Sequence, residues 1–466
     1  MSPPRVRHPV RSPFVDVSIV AANTLTFDAR QQRTAAALAG DGHAVTLVGF
    51  AAPGLSAEER LEGSITLRRV VVDGTIASVF RPLPKPLRRG LCHLLGIAPG
   101  ATALPPDPPR GLDRLRHPFR RLAEIGAHAR RVGPWSDAVL AVSPRADVYH
   151  CKALIALPVI RRCAARAGGR FVYDIADIHT EAARLARMPR WFRALVRNRE
   201  TGWMREASAL TAVSDDVADE VVRRFCVPRP VITLNTPLAF RPDEAMPARA
   251  GLLRVLAGIP DGRRVILYQG GFSVDRGIEE LVAAMDEAPL ADADVVAVFI
   301  GYGRLRDWLD EQAARRPGRV VVVDAIPPRE LLEHTVDADV GFVGQPGRTL
   351  NQRLNLANKL FEYLQTAVPV VVAQGTAHCR LVTELAVGRC VDIDRPADIA
   401  AALGAMLWAP EAEREAMRVH CRTLGMERFT WERQQAGLVA MYRELAASKA
   451  AGAAAGGSTG SAGAPA

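Results

Sequence analysis

At 466 residues the chain exceeds one ordinary domain and predicts two or three. Its 48% hydrophobic and 24% charged residues are those of a soluble globular protein, and no apolar run reaches the roughly 18–20 residues that a membrane-spanning helix needs. Sixty Lys and Arg against fifty Asp and Glu leave a net charge of +10, yet no stacking aromatics interleave with the basic residues and no nucleic-acid motif is present, so nucleic acid is not an expected partner.

Residues 1–13 are basic and Pro-rich, without the apolar core of a secretory signal, and are expected to be disordered. Val15 to Ala21 is an apolar run that fits a buried strand. A loop rich in Asn and Thr follows, then a helix from about Asp28 to Ala39 that Gly40-Asp-Gly42 closes. His43 to Gly49 is the next strand, and this spacing implies a parallel pair with a right-handed crossover. From about 75 to 135 the periodicity weakens and a helix or two with loop is expected. Between Arg81 and Arg131 eleven Lys or Arg face three acids, with Leu87, Leu91, Leu94, Leu95 and Phe119 interleaved. Such a basic amphipathic insertion either is a solvated surface feature or lies on an anionic membrane surface. Strand and helix patterns then alternate again, with strands at Ala146–His150, Arg170–Ile175, Leu210–Ser214 and Val231–Asn235.

Residues 241–262 contain Pro242, Pro247 and Pro260 and read as a linker between a domain at 14–240 and a second at 263–429. The second opens with the strand Arg264–Gln269 and continues with strands at Asp294–Gly301, Val320–Val323 and Val340–Val343. A last helix is expected over 430–447. The tail, 448–466, is almost entirely small residues, cannot bury a core and is expected to be disordered. The fold class is α/β, with two doubly wound Rossmann-like domains facing a cleft, where ligands bind beyond the carboxyl ends of the strands. Cys92, Cys151, Cys163, Cys226, Cys379, Cys390 and Cys421 are scattered and include no C-x-x-C pair, so free thiols in a reducing cytoplasm are expected.

One segment, Asn355 to Val372, concentrates chemistry. Leu360, Tyr363 and Leu364 form an apolar helical stripe, Asn358 suits the N-cap, and Val370 to Val372 suit a strand covered on both faces. Among these apolar neighbours stands Glu362, a carboxylate able to accept two hydrogen bonds from a ligand diol. By itself it could equally be a surface glutamate. Asp292-Ala-Asp294 and Asp337-Ala-Asp339 have a spacing seen in metal sites, but each falls at a helix-to-strand junction and reads as structural, so no metal and no cofactor are expected.

Taken in order, Tyr268-Gln-Gly-Gly-Phe-Ser-Val-Asp-Arg276-Gly, Ile300-Gly-Tyr-Gly303, Asp324 to Leu331, Ala338 to Phe342 and Asn358-Lys-Leu-Phe-Glu362-Tyr resemble the family 4 glycosyltransferases of group 1 type. These are retaining sugar-nucleotide enzymes with the two-domain GT-B fold. The resemblance is dense over 265–445 and weaker over 15–235, where Asp28-Ala-Arg30, Asp147 to His150 and Asn235 fit the pattern. It implies a cytoplasmic enzyme, able to sit on the inner face of the membrane, that moves a sugar from a nucleotide sugar to a glycan, lipid-linked or small-molecule acceptor. In that scheme Gly270 and Gly271 let backbone approach the diphosphate, Arg276 neutralises it, Ile326 lines the base pocket and Glu362 holds the ribose. His179 or Asp177, two residues apart at the end of a strand, faces the reacting sugar. Two departures stand out. Leu354 replaces the first of a glutamate pair, which passes the sugar contact to Asn355, Asn358 or Lys359, and Ala367 stands where glycine is usual. A non-catalytic partner subunit and a nucleotide-sugar epimerase of the same fold are the alternatives.

Overall fold

The computed structural model describes residues 14–26, 28–61, 63–72, 79–80, 82–98, 101, 113–143, 145–182 and 185–457. The basic N-terminus, Arg81, Arg110 and the end of the tail lie outside the described residues. Eight strands form the first sheet: β1 (Asp16–Val20), β2 (Ala44–Phe50), β3 (Glu58–Arg60), β4 (Ile65–Val70), β5 (Val148–Cys151), β6 (Arg170–Ile175), β7 (Ala209–Ala212) and β8 (Val231–Ile232). Their order is β3-β4-β2-β1-β5-β6-β7-β8, parallel except that β3 runs against β4. The central strands are nearly continuous buried runs, as helices on both faces demand. β3 and β4 escape the sequence pattern because β3 is Glu-Glu-Arg and β4 carries Arg68 and Arg69.

The second sheet has six parallel strands: β9 (Arg264–Gln269), β10 (Val295–Gly301), β11 (Val320–Asp324), β12 (Val340–Val343), β13 (Val370–Ala373) and β14 (Gly388–Val391), in the order β11-β10-β9-β12-β13-β14. In each sheet the chain winds one way from one central strand, β1 or β9, and then the other way. That reversal leaves a crevice at the carboxyl ends of those strands. The expected linker holds a helix, Leu252–Ala257, whose Leu253 is buried in the core of the second domain. Arg422 ties the stretch down by donating to the carbonyls of Phe240, Arg241, Glu244 and Gln365.

The insertion is more regular than its sequence suggests. It forms helices over Lys85–Leu95 and Asp113–Val142, and the second anchors itself through buried Trp135 and Val139. Gly133-Pro134 in mid-helix is what hides the pattern. The final helix, Trp431–Gly457, runs past Ala447 and crosses back to the first domain. There Trp431, Leu438 and Tyr442 join Ile19 and Leu47 in one core, and the Tyr442 hydroxyl meets His150 Nδ1 at 2.9 Å. One thiol expectation is corrected: Cys379 and Cys390 are disulfide-bonded. The helix Ala377–Leu385 packs beside β14, which brings two cysteines eleven residues apart to a Cα separation of 5.5 Å. Among the described residues no helix is long and apolar enough to cross a membrane.

Candidate active site

The C-terminal face of the cleft begins where β9 ends. Gly270 has φ +122°, and its N–H donates to the Ile300 carbonyl. A Cβ on the facing Gly301 would stand 1.9 Å from the Gly270 carbonyl oxygen, so the two turns close on each other only as glycines. Tyr268 donates its hydroxyl to the Gly271 carbonyl, which braces the turn. Arg276 is exposed at its far end and donates to Gln345 Oε1 at 3.0 Å. Gly277 at φ +74° opens the helix Ile278–Ala284, whose first turn has no side-chain cap.

The helix Asn358–Gln365 supplies the next three groups. It forms because Leu360, Phe361, Tyr363 and Leu364 bury one stripe against β9 and β12. Its cap is Ala357 rather than Asn358. The Ala357 N–H goes to His378 Nε2 at 2.7 Å, and burial, reinforced by Lys359 and Arg276, holds His378 neutral with a pKa of about 3. That frees Asn358, whose Oδ1 accepts from Asn235 across the cleft at 2.5 Å. Lys359 lies with Nζ 3.6 Å from the centre of the Tyr268 ring, at the edge of Gly270. Burial, then the charge of Arg276, pushes its pKa well below the lysine range. Neither Lys359 nor Arg276 forms a salt bridge among the described residues, and the nearest counter-charge felt by Lys359 is Glu362, one helical turn on. Glu362 accepts from Gln269 Nε2 at 2.6 Å, and Gln269 in turn accepts from Thr335. Burial raises the Glu362 pKa against the pull of Gln269, Arg33 and Lys359. Ala367 does sit at positive φ, +61°, at a cost on the order of 1 kcal/mol.

Across the cleft the groups are paired to one another. Arg30 grips Asp174 through two bonds of 2.6 and 2.7 Å, both side chains buried. Burial would raise Asp174, but Arg30 outweighs it and holds the carboxyl at about 2. Lys152 sits on Asp28, the cap of the first helix, at 2.7 Å. Asp177 accepts from Asn351 at 2.7 Å and more loosely from Asn355 at 3.5 Å, while Asn351 also accepts the Ile178 N–H. His179 turns away, its Nε2 taking the Leu154 N–H, and burial keeps it neutral.

Between the two faces lies a cavity of about 410 Å³. Lys152, Asp177 and Asn235 line it from one domain and Gly270, Arg276 and Glu362 from the other, joined by Asn355, Asn358 and Lys359. Of the sequence-derived residues, His179, Gly271 and Ile326 do not line it. Ile326 is half-buried against the core before the helix Pro328–Thr335, whose Leu331 reaches the cavity. Sequence reasoning passed over Lys152, Asn351 and His378 and gave Arg30 and Gln269 no role; each meets a partner distant in the chain. Leu354 packs against the core of the first domain, so this substitution exchanges a carboxylate for an interdomain apolar contact. Among the described residues no group of three His, Cys, Asp or Glu is placed to hold a metal. Asp337 caps the helix at 252 and Asp339 pairs with Arg249.

Two facing parallel-sheet domains with this cleft define the GT-B architecture of glycosyltransferases. Residues 263–408 match the glycosyl transferases group 1 family, which makes the chain a glycosyltransferase-type enzyme. No curated protein matches it in sequence. Among solved structures it is similar to sucrose-phosphate synthase from Thermosynechococcus elongatus, with a TM-score of 0.67 at 15% identity over 93% of this chain and 100% of the other. A UDP-forming α,α-trehalose-phosphate synthase from Burkholderia xenovorans aligns at TM-score 0.62 and 15% identity, covering 93% and 99%. Anabaena HepE in complex with UDP-glucose aligns at TM-score 0.56 and 14% identity, covering 94% and 100%.

Proposed function

We propose that the protein is a retaining glycosyltransferase of family 4 type that moves a hexose from a UDP-sugar to a hydroxyl acceptor. The observation that carries this is a pair of cations that form no salt bridge, Lys359 and Arg276, beside the glycine turn, with Glu362 one helical turn beyond Lys359. A nucleoside diphosphate supplies what is missing. Its phosphates answer the two cations, its ribose diol donates to Glu362, and the sugar lies toward Asp177, Asn355 and Asn358. UDP is named because similar structures are described with UDP-glucose or as UDP-forming.

The bond from the anomeric carbon to the β-phosphate oxygen breaks as charge builds on that oxygen, and the bond to the acceptor oxygen forms on the same face. The acceptor proton passes to the leaving phosphate. Arg276 and Lys359 stabilise the developing charge. Asp177 is the first-domain carboxylate that can orient the acceptor, and closure of the cleft excludes water. The acceptor is a glycan or lipid-linked sugar reached at a membrane surface. The helix Lys85–Leu95 supports this, since it buries none of its residues and exposes Leu87 and Leu94 beside Lys85 and Arg89. The test is transfer from a panel of UDP-sugars, with co-sedimentation on anionic vesicles at low and high salt. Turnover that survives Arg276→Ala and Glu362→Ala unchanged removes the site assignment, and absence of vesicle binding at low salt removes the membrane surface.

A further inference from the structure

A second cavity, of about 380 Å³, opens on the opposite edge of the C-terminal sheet. It sits beneath the helix Glu411–Arg428, at the amino ends of β9, β12, β13 and β14, where Arg264, Asp339, Pro369 and Gly388 line it. The candidate active site lies at the carboxyl end of β9, so the six residues of that strand separate the two on the order of 17 Å. The cavity is therefore no extension of the donor cleft.

Its lining is an arginine cluster. Arg249, Arg264, Arg414 and Arg418 converge on it, and Arg389 stands exposed at the rim. Four carboxylates line it as well, Asp339 at the strand ends and Glu411, Glu413 and Glu415 on the helix, so the arginines outnumber the acids by one. Asp339 takes Arg249 at 3.0 Å and Arg264 at 3.6 Å on one oxygen and the Val265 N–H on the other. Arg414 pairs with Glu411 and donates to the Ala409 carbonyl, and Arg418 pairs with Glu415; both glutamates are exposed side chains whose pairing in water is weak. Arg418 Nε is buried without a hydrogen bond, the nearest carboxylate oxygen standing 3.5 Å away. Burial and the neighbouring guanidiniums hold both arginines below the usual arginine range. Met406, Leu407 and Met417 give the rest of the wall an apolar character.

We propose that this cavity is a binding site for a small phosphorylated metabolite, with the phosphate held by the forks of Arg414, Arg418 and Arg264 and the organic body against Met406 and Met417. Guanidiniums approaching from several elements suit a tetrahedral dianion, which accepts paired N–H donors from each side. The cavity is of the size that encloses one such molecule. The site does not depend on the identity of the donor or acceptor.

Isothermal titration with inorganic phosphate and with glucose 6-phosphate tests the site. Saturable 1:1 binding is expected for the wild type and for Arg276→Gln, which alters the cleft. Arg414→Ala/Arg418→Ala is expected to weaken it by roughly 10-fold per arginine. Ala405→Glu, an exposed rim position that sets a carboxylate at the mouth without touching the core, is expected to weaken it at least as much. The sugar phosphate is expected to bind more tightly than inorganic phosphate, and equal affinities overturn the role of the apolar wall. Binding that disappears in Arg276→Gln and persists in Ala405→Glu overturns the proposal, as does no saturable binding of either probe.

Discussion

The two faces of the cleft treat charge in opposite ways. On the first domain Arg30, Asp174, Lys152 and Asp28 satisfy one another, and Asp177 is held by two asparagines of the other domain. On the second, Arg276 and Lys359 stand near each other without a salt bridge among the described residues, and Glu362 is hydrogen-bonded by a neutral amide, with Lys359 and Arg33 acting on it only at longer range. The paired face builds a rigid wall. The unpaired face stores electrostatic cost that a ligand of the right charge removes, and it is where a fixed chemical group, the nucleoside diphosphate, is proposed to bind. The variable partner, the acceptor, is proposed to meet the wall whose charges are already paired.

Breaking a pair on the first face has the largest expected effect. Arg30→Ala strands Asp174 in the core and should cost about 3–5 kcal/mol in urea unfolding. Asp174 also sets an acid limit. Its folded pKa of about 2 lies below the ordinary 3.8, so its contribution is complete above about pH 4 and is lost as pH falls toward 2. A wild type whose stability is flat from pH 4 to pH 2 would contradict the pairing.

On the unpaired face the prediction reverses. Lys359→Met should lower UDP affinity by roughly 10–100-fold, as loss of a charge-assisted contact does. The same change removes a desolvated cation that faces another, so the melting temperature without ligand should hold or rise. A fall of several degrees would mean that Lys359 is structural. The pH dependence of UDP binding sharpens the point. Glu362 is raised and Lys359 lowered, so affinity should decline on the acid side as Glu362 takes a proton and on the alkaline side as Lys359 loses one. Both limbs should lie closer to neutrality than free Glu and Lys would put them, and Glu362→Gln should abolish the acid limb. The smallest effect is expected at Ala367→Gly, where relief of the positive φ should stabilise the protein by about 0.5–1 kcal/mol.

Much of the C-terminal face of the cleft was legible because its parts are local. The glycine turn, Arg276 and the Asn358–Glu362 helix each occupy one short stretch whose spacing carries the geometry. Ala367 was legible too, since the strand Val370–Ala373 must follow the helix through a tight left-handed turn. The first-domain face was less so. The choice between His179 and Asp177 depends on a short 3₁₀ turn, His179–Glu181, that sends one side chain to the cleft and the other to the Leu154 N–H. Ile326 was placed by the family resemblance alone, and its side chain lies half-buried against the core. The role of His378 was invisible because it caps a helix 21 residues earlier in the chain. The Cys379–Cys390 bond likewise follows from a helix packing beside a strand, a contact that no spacing rule reports.

The central claim is that the unpaired face binds a nucleoside diphosphate. Titration of UDP into wild type, Arg276→Ala and Glu362→Ala addresses it most directly. One equivalent should bind the wild type, and each variant should lose at least roughly 10-fold in affinity with its melting temperature retained. Affinity unchanged in both variants, or no saturable binding of UDP to the wild type, would contradict the account.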